Sequence, residues 1–131
     1  MLATNCYAAT LFTKELIPHF KKRWESKKLR SLVCNAGSMV SYGSCSLAQT
    51  YGASKKYTDF LNEGLNYELS GYGVDVSCWR AAGVRSEASN NSKLELLKVS
   101  PQQFVEAAFT KCNSEYHHGV LKHEIAGLIL E

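Results

Sequence analysis

The pattern of apolar and polar positions predicts alternating helices and strands. Between residues 5 and 25, apolar residues recur at three- and four-residue spacing, which is typical of an amphipathic helix. The predicted buried face of this helix comprises Leu11, Phe12, Leu16, Ile17 and Phe20. Pro18 lies inside the run and predicts a kink there, or a turn near the end of the helix. The segment Leu29–Asn35, with its apolar centre, predicts a short strand.

The middle of the chain predicts a second helix and a second strand. Residues 37–50 are rich in Gly and Ser and predict a loop. The helix spans Tyr51–Ser70 and ends at Gly71-Tyr72-Gly73, where glycine suits the C-terminal position. Its predicted buried face comprises Ala53, Tyr57, Phe60, Leu61 and Leu65. Val74–Trp79 has the pattern of a strand.

The last part of the chain predicts a third helix and a last strand. Ser100 suits an N-cap and Pro101 suits the first helical position. The predicted apolar face of this helix comprises Phe104, Val105, Ala108 and Phe109. Gly119–Leu121 predicts the strand, followed by the apolar segment 125–130. Helices that alternate with strands indicate an α/β fold with a parallel sheet, and no linker divides residues 1–131.

Composition narrows the class of protein. The 131 residues are 45% hydrophobic and 21% charged, and the net charge of +3 demands neither nucleic acid nor an acidic membrane. No apolar run approaches the length needed to span a bilayer. The five cysteines are scattered and odd in number, and residues 1–5 lack the charged start of a signal peptide. These features predict free thiols in a reducing, intracellular compartment.

Tyr51 and Lys55 are the first candidates for chemistry. They are four residues apart at the start of the predicted second helix, so they share one helical face. An ammonium beside a phenol favours the phenolate and lowers the pKa of the phenol, which makes it a usable general acid or base. Taken alone, the spacing favours an ordinary surface pair over a catalytic one.

Two further polar residues add to this pair. Ser38 follows the first predicted strand, and ligands of open parallel sheets bind at the carboxyl ends of strands. A serine hydroxyl at that position could hydrogen-bond a substrate carbonyl while Tyr51 delivers a proton. Asn5 lies at the start of the first long helix.

In this order and spacing, Asn5, Ser38, Tyr51 and Lys55 resemble the short-chain dehydrogenase/reductase family. The interval of thirteen residues between the serine and the tyrosine is the usual one in that family. The wider match is most similar to the branch of 17β-hydroxysteroid dehydrogenases and very-long-chain 3-oxoacyl-CoA reductases. The resemblance implies a Rossmann-like, doubly wound parallel sheet. It covers the second half of the family's domain, without the N-terminal nucleotide-binding strands.

The resemblance also implies a mechanism and a cofactor. Hydride would pass between NADP(H), with NAD(H) as the alternative, and a ketone or secondary alcohol of a steroid or 3-oxoacyl-CoA. Tyr51 would be the general acid or base, and Ser38 would position the carbonyl. Lys55 would tune Tyr51 and hold the nicotinamide ribose, and Asn5 would anchor a water that relays protons to Lys55. Tyr51, Lys55, Gly83 and Val84 would contact the cofactor.

The sequence departs from the family pattern at two cofactor motifs, and one triplet resembles a family motif without being its equivalent. No Gly-rich turn after a first strand, which would bind the cofactor pyrophosphate, occurs in these residues. The triplet Asn35-Ala36-Gly37 lies only sixteen residues before Tyr51, so it belongs to the serine-bearing strand and not to the family's cofactor motif. The Pro-Gly turn expected after Trp79 lacks its proline, which leaves Gly83 as a partial equivalent.

Other candidate sites are weaker. His117, His118 and His123 fit no standard zinc spacing, so we expect no metal site, and the resemblance implies a structural role for His123. Cys34 and Cys78 lie in predicted strands and are expected to be buried. The basic run 21–30 predicts a solvated helix end in preference to an RNA- or phosphate-binding patch.

Two interpretations remain open at the level of the sequence. In the first, the chain is the catalytic part of an oxidoreductase and is inactive alone because it lacks the Gly-rich motif. In the second, it is a truncated, non-catalytic interaction module that pairs through the helix bearing Tyr51, with a second copy as one expected partner. The resemblance implies a cytoplasmic location or one associated with the endoplasmic reticulum, and it leaves the substrate undetermined.

Overall fold

A three-stranded parallel sheet forms the centre of the computed structural model, which describes residues 1–43, 46–86, 95–112 and 116–130. The strands β1 (Ser31–Ser38), β2 (Val74–Ala81) and β3 (Tyr116–His117) lie in chain order. The helices are α1 (Ala8–Lys27), α2 (Gln49–Leu69), α3 (Pro101–Phe109) and α4 (Leu121–Leu130). The alternating parallel α/β architecture predicted from the sequence is therefore confirmed.

Helices cover both faces of the sheet. Successive side chains of a strand point to opposite faces. Val74 and Val76 pack with Leu65 and Leu69 of α2 and with residues of α1. On the other face, Trp79 and Ala81 pack against a cluster that includes two residues of α3, namely Val99, Phe104 and Ala108. The sheet is thus sandwiched between α1 and α2 on one side and α3 on the other.

Local signals set several helix ends. The Ser100 hydroxyl accepts a hydrogen bond from the backbone N–H of Gln103, and the Gln103 side chain accepts one from the Ser100 N–H. This capping box confirms the predicted start of α3. α2 is followed by a short 3₁₀ turn and then by Gly73, whose φ is +63°. A left-handed residue at this position commonly ends a helix, and glycine adopts that conformation without strain.

The position of the last strand and the burial of Cys34 were predicted wrongly. The last strand lies at Tyr116–His117, and Leu121 begins a helix instead. Of the two alternatives for Pro18, the turn near the helix end is excluded, because α1 continues through Pro18 to Lys27. Cys34 is exposed, whereas Cys78 is fully buried as predicted.

The predicted apolar faces of the helices were also partly wrong. Leu65, Phe104 and Ala108 are buried, and Ile17, Phe20 and Leu61 pack against the core. The side chains that are exposed contrary to prediction are Leu11, Phe12, Leu16, Ala53, Tyr57, Phe60, Val105 and Phe109. The buried face of α2 is instead largely polar and includes Ser54, Thr58, Asp59 and Asn62. Each of these four side chains has a hydrogen-bond partner, which makes their burial tolerable.

The described helices include none that is long and apolar enough to cross a bilayer.

The lowered pKa of Glu124 in α4 should make the folded chain lose stability in acid. Burial raises the pKa of its carboxyl, but hydrogen bonds from Lys111 and His118 outweigh burial and lower the pKa to about 2. A carboxyl whose pKa is depressed by folding stabilises the folded state above its unfolded pKa, so this contribution is lost as the pH falls from about 4.5 towards 2. Urea unfolding at pH values from 6 to 2.5 should show the free energy of unfolding falling with pH. In Glu124→Gln this fall should be less steep. An equally steep decline in Glu124→Gln would contradict the assignment.

Candidate active site

The carboxyl ends of β1 and β2 form one edge of the sheet. Ser38, the last residue of β1, is paired with Ala81, the last residue of β2. Gly83 and Val84 follow two and three residues later. The structure therefore brings Ser38, Gly83 and Val84 to the edge at which ligands of parallel sheets bind.

Tyr51 and Lys55 lie together at the start of α2. The Lys55 ammonium nitrogen is 5.6 Å from the centroid of the Tyr51 ring, within the range of a cation–π contact. Both side chains are half-buried, so they remain accessible from solvent. The helical spacing alone accounts for this juxtaposition.

Gly52 allows the start of α2 to approach the segment that follows Ser38. A Cβ atom on Gly52 would lie 3.2 Å from the carbonyl oxygen of Val40, closer than most Cβ contacts. Val40 is two residues after Ser38, and its backbone N–H donates to the Ser38 hydroxyl at 3.4 Å. The close contact places Tyr51 beside the turn that carries Ser38.

The Lys55 ammonium is anchored to the end of β1. It donates a hydrogen bond of 2.7 Å to the carbonyl oxygen of Ala36, two residues before Ser38. The sequence did not predict this partner, because a backbone carbonyl has no signature in a pattern of side chains. The contact links the helix of Tyr51 and Lys55 to the strand of Ser38.

Asn5 reaches the same turn of α2 from a different direction. It lies in a π-helical turn, Ala3–Tyr7, that precedes α1. π-helical turns are rare in proteins, and those that occur are often found at functional sites. The Asn5 amide nitrogen donates to the Ser54 hydroxyl at 2.9 Å, and that hydroxyl donates to the Tyr51 carbonyl at 2.7 Å. Asn5 therefore contacts Ser54, which adjoins Lys55 in sequence. No motif in the sequence predicted that Ser54 would link them.

Gly83 and Val84 are held in place by the strand-like segment before α3. The Gly83 carbonyl accepts a hydrogen bond of 3.0 Å from the Val99 N–H, and Val84 forms a parallel bridge with Val99. Val84 also packs against the apolar cluster under α3. The turn after β2 is thus fixed at the same edge as Ser38 although it lacks the expected proline.

The remaining histidine and cysteine candidates have structural surroundings. Within the described ranges, no group of three His, Cys, Asp or Glu side chains is arranged to hold a metal. His123 is fully buried, and its Nε2 is 2.8 Å from the Leu97 carbonyl oxygen. Burial, with the nearby Asp59 carboxylate, raises the pKa of the Cys78 thiol to about 12. A thiol with so high a pKa is a poor nucleophile near neutral pH.

Comparisons with known proteins show that the chain is similar to reductases in sequence. No family model matches the sequence. The chain is 29% identical over 111 residues to a very-long-chain 3-oxoacyl-CoA reductase of Pyrenophora tritici-repentis, covering 85% of the chain and 31% of that protein. It is 28% identical over 142 residues to a very-long-chain 3-oxoacyl-CoA reductase-like protein of Arabidopsis thaliana, covering 98% of the chain and 43% of that protein. The chain thus spans less than half of these relatives.

The fold comparison agrees with the sequence comparison. A short-chain dehydrogenase from Burkholderia cenocepacia, solved in complex with NADP, superposes with a TM-score of 0.78 at 20% identity. The match covers 95% of this chain and 51% of that protein. These findings confirm an incomplete Rossmann-like fold. Together with the two sequence relatives, they make the chain similar to short-chain dehydrogenases and to very-long-chain 3-oxoacyl-CoA reductases.

Proposed function

We propose that residues 1–131 are the catalytic part of an oxidoreductase that transfers a hydride between NADP(H) and a ketone or secondary alcohol. The observation that carries the proposal is the placement of Tyr51 and Lys55, with Lys55 anchored to β1 just before Ser38. The names of the two sequence relatives favour a lipid-like substrate, a 3-oxoacyl-CoA or a steroid. A cytoplasmic location, or one at the endoplasmic reticulum, is part of the same proposal.

The residues present fit one end of the cofactor. A half-exposed ammonium and a half-exposed phenol stand at the carboxyl edge of a parallel sheet, where they can meet ribose hydroxyls and a reacting carbonyl. Lys55, Tyr51, Gly83 and Val84 would hold this nicotinamide end. The 131 residues contain no Gly-rich turn for the pyrophosphate.

In the proposed mechanism each side chain has a separate task. The nicotinamide supplies the hydride chemistry when it is bound. Tyr51 donates its phenolic proton to the carbonyl oxygen during reduction and takes it back during oxidation. Ser38 donates a hydrogen bond that orients the same oxygen. The Lys55 ammonium stabilises the phenolate that Tyr51 becomes, and Asn5 supports this turn through Ser54.

Cofactor titration tests the proposal. We expect the chain alone to show no saturable quenching or enhancement of NADPH fluorescence, because the pyrophosphate has no binding turn. A chimaera in which the chain replaces the matching region of the Arabidopsis relative should bind NADPH and reduce 3-oxoacyl-CoA. The same titration with NADH identifies the preferred cofactor. A folded chimaera that binds neither cofactor would contradict the proposal.

The second candidate function is a non-catalytic interaction module, and an apolar groove on α2 favours it. Ala53, Lys56, Tyr57, Phe60 and Leu61 line an open groove of about 570 Å³. Phe60 is 71% exposed in this groove, and exposed apolar patches of this kind often mark interfaces. We propose that a second copy of the chain covers the groove. Catalysis and self-association through α2 are compatible, so this proposal does not exclude the first.

Self-association should be visible by sedimentation. The wild-type chain is expected to dimerise or form larger species at micromolar concentration, and Phe60→Lys should shift it towards monomer by placing a charge in the groove. Leu128→Lys on α4 is the matched control, since Leu128 is equally exposed but lies outside the groove. A monodisperse wild-type monomer, or equal effects of the two lysines, would contradict the proposed interface.

A further inference from the structure

Arg80 joins the segments that carry the proposed catalytic residues. It is a buried guanidinium on β2, 7% exposed, and it faces α2. Its Nε donates to Asp59 Oδ1 at 3.1 Å, and its Nη1 donates to the Tyr42 hydroxyl at 3.2 Å. Its guanidinium carbon also lies 5.1 Å from the centroid of the Tyr42 ring. Tyr42 is four residues after Ser38, so Arg80 links α2 to the turn after Ser38.

The ion pair between Arg80 and Asp59 also affects the position of Lys55. Lys55 and Asp59 are four residues apart on α2, a spacing at which oppositely charged side chains meet. The Asp59 side chain is itself buried, and a desolvated carboxylate strongly attracts any cation in reach. Among the described residues, however, Asp59 pairs with Arg80, and the partner of Lys55 is the Ala36 carbonyl. The Lys55 ammonium therefore stays near the carboxyl end of β1.

The backbone of β1 makes room for Arg80. Gly37 and Arg80 are partners in the sheet, and a Cβ on Gly37 would lie 3.2 Å from Arg80 Cγ and 2.6 Å from Cys78 Sγ. Any larger side chain at position 37 would displace both residues. The close approach allows the guanidinium to reach Asp59 and Tyr42 together.

We propose that Arg80 is a positioning residue: it neutralises Asp59, so that Lys55 stays at the carboxyl edge, and ties α2 to the turn that follows Ser38. This inference rests on the proposed function, because the position of Lys55 matters for turnover only if Lys55 serves the reaction. It assigns no contact between Arg80 and substrate or cofactor.

The test observes Lys55 directly in the cofactor-free chain. The ¹⁵N signal of the Lys55 ammonium, identified by its loss in Lys55→Arg, reports the hydrogen bond to Ala36. In Arg80→Met we expect the signal to shift, because the unpaired Asp59 carboxylate then attracts the ammonium. The double variant Arg80→Met/Asp59→Asn should restore the wild-type signal, and Arg80→Lys, which keeps the positive charge, should remain close to it.

The outcomes separate positioning from a purely structural role. A folded Arg80→Met variant with an unchanged Lys55 signal would overturn the proposal, whatever happened to its stability. If Arg80→Met does not fold, Arg80→Gln replaces it, since glutamine can still donate to Asp59 without neutralising it. The measurement needs no cofactor, so a failure of the chimaera to bind NADPH would count against the proposed function alone.

Discussion

Replacing Tyr51 by phenylalanine should lower kcat of the chimaera about 10²- to 10⁴-fold, the usual contribution of a general acid–base group. The substitution removes only the hydroxyl, and among the described residues that hydroxyl has no hydrogen-bond partner to lose. The fold should therefore change little, and the affinity for NADPH should be largely kept because Lys55, Gly83 and Val84 remain to hold the nicotinamide end. Steady-state rates and the fluorescence titration, performed on the same samples, give both quantities.

Tyr67→Phe is the control for this substitution. Tyr67 is on the same helix, is 79% exposed, and lies four turns from Tyr51. It should retain wild-type turnover. Substantial turnover in Tyr51→Phe would show that another group delivers the proton, whereas an equal loss in Tyr67→Phe would indicate a general effect on α2.

Replacing Gly73 by alanine should destabilise the chain by about 2–4 kcal/mol. Gly73 has a φ of +63°, and a Cβ there would lie 2.3 Å from an atom of the Trp24 ring. The substitution therefore combines backbone strain with a clash against the indole of α1. Urea unfolding at matched protein concentration should show a lower midpoint with an unchanged m-value.

Gly71→Ala provides the matched control two residues away. No atom lies within 4 Å of the Cβ position at Gly71, and its φ is not positive. Its effect should stay within about 0.5 kcal/mol, as for ordinary surface substitutions. Similar losses in the two variants would mean that the Trp24 contact does not hold the end of α2.

The order of elements could be predicted because its signals are local. The Ser100-Pro101 start of α3 and the glycine end of α2 depend on neighbours within a few residues. The misplaced last strand shows the limit of such signals. Gly119–Leu121 has a strand-like composition, but β3 forms at Tyr116–His117 because these residues pair with Cys78 and Trp79 of β2.

The buried face of α2 could not be predicted from hydropathy. Tyr57 and Phe60 are more apolar than Asp59 and Asn62, yet the latter pair is buried. Asp59 meets Arg80, and Asn62 accepts a hydrogen bond from Asn35, so the cost of burying these polar groups is offset by partners from other elements. A hydropathy pattern carries no information about hydrogen-bond partners that are 21 and 27 residues away in sequence.

The sequence by itself determined the pair of Tyr51 and Lys55, since a spacing of four on a helix fixes their shared face whatever surrounds them. It also determined that Ser38 would end a strand near them. Only the tertiary structure decided which group each side chain meets: Ala36 for Lys55, Ser54 for Asn5, and Arg80 for Asp59. The physical reason is that helix and strand periods act over a few residues, whereas hydrogen bonds and ion pairs are chosen among groups that only folding brings together.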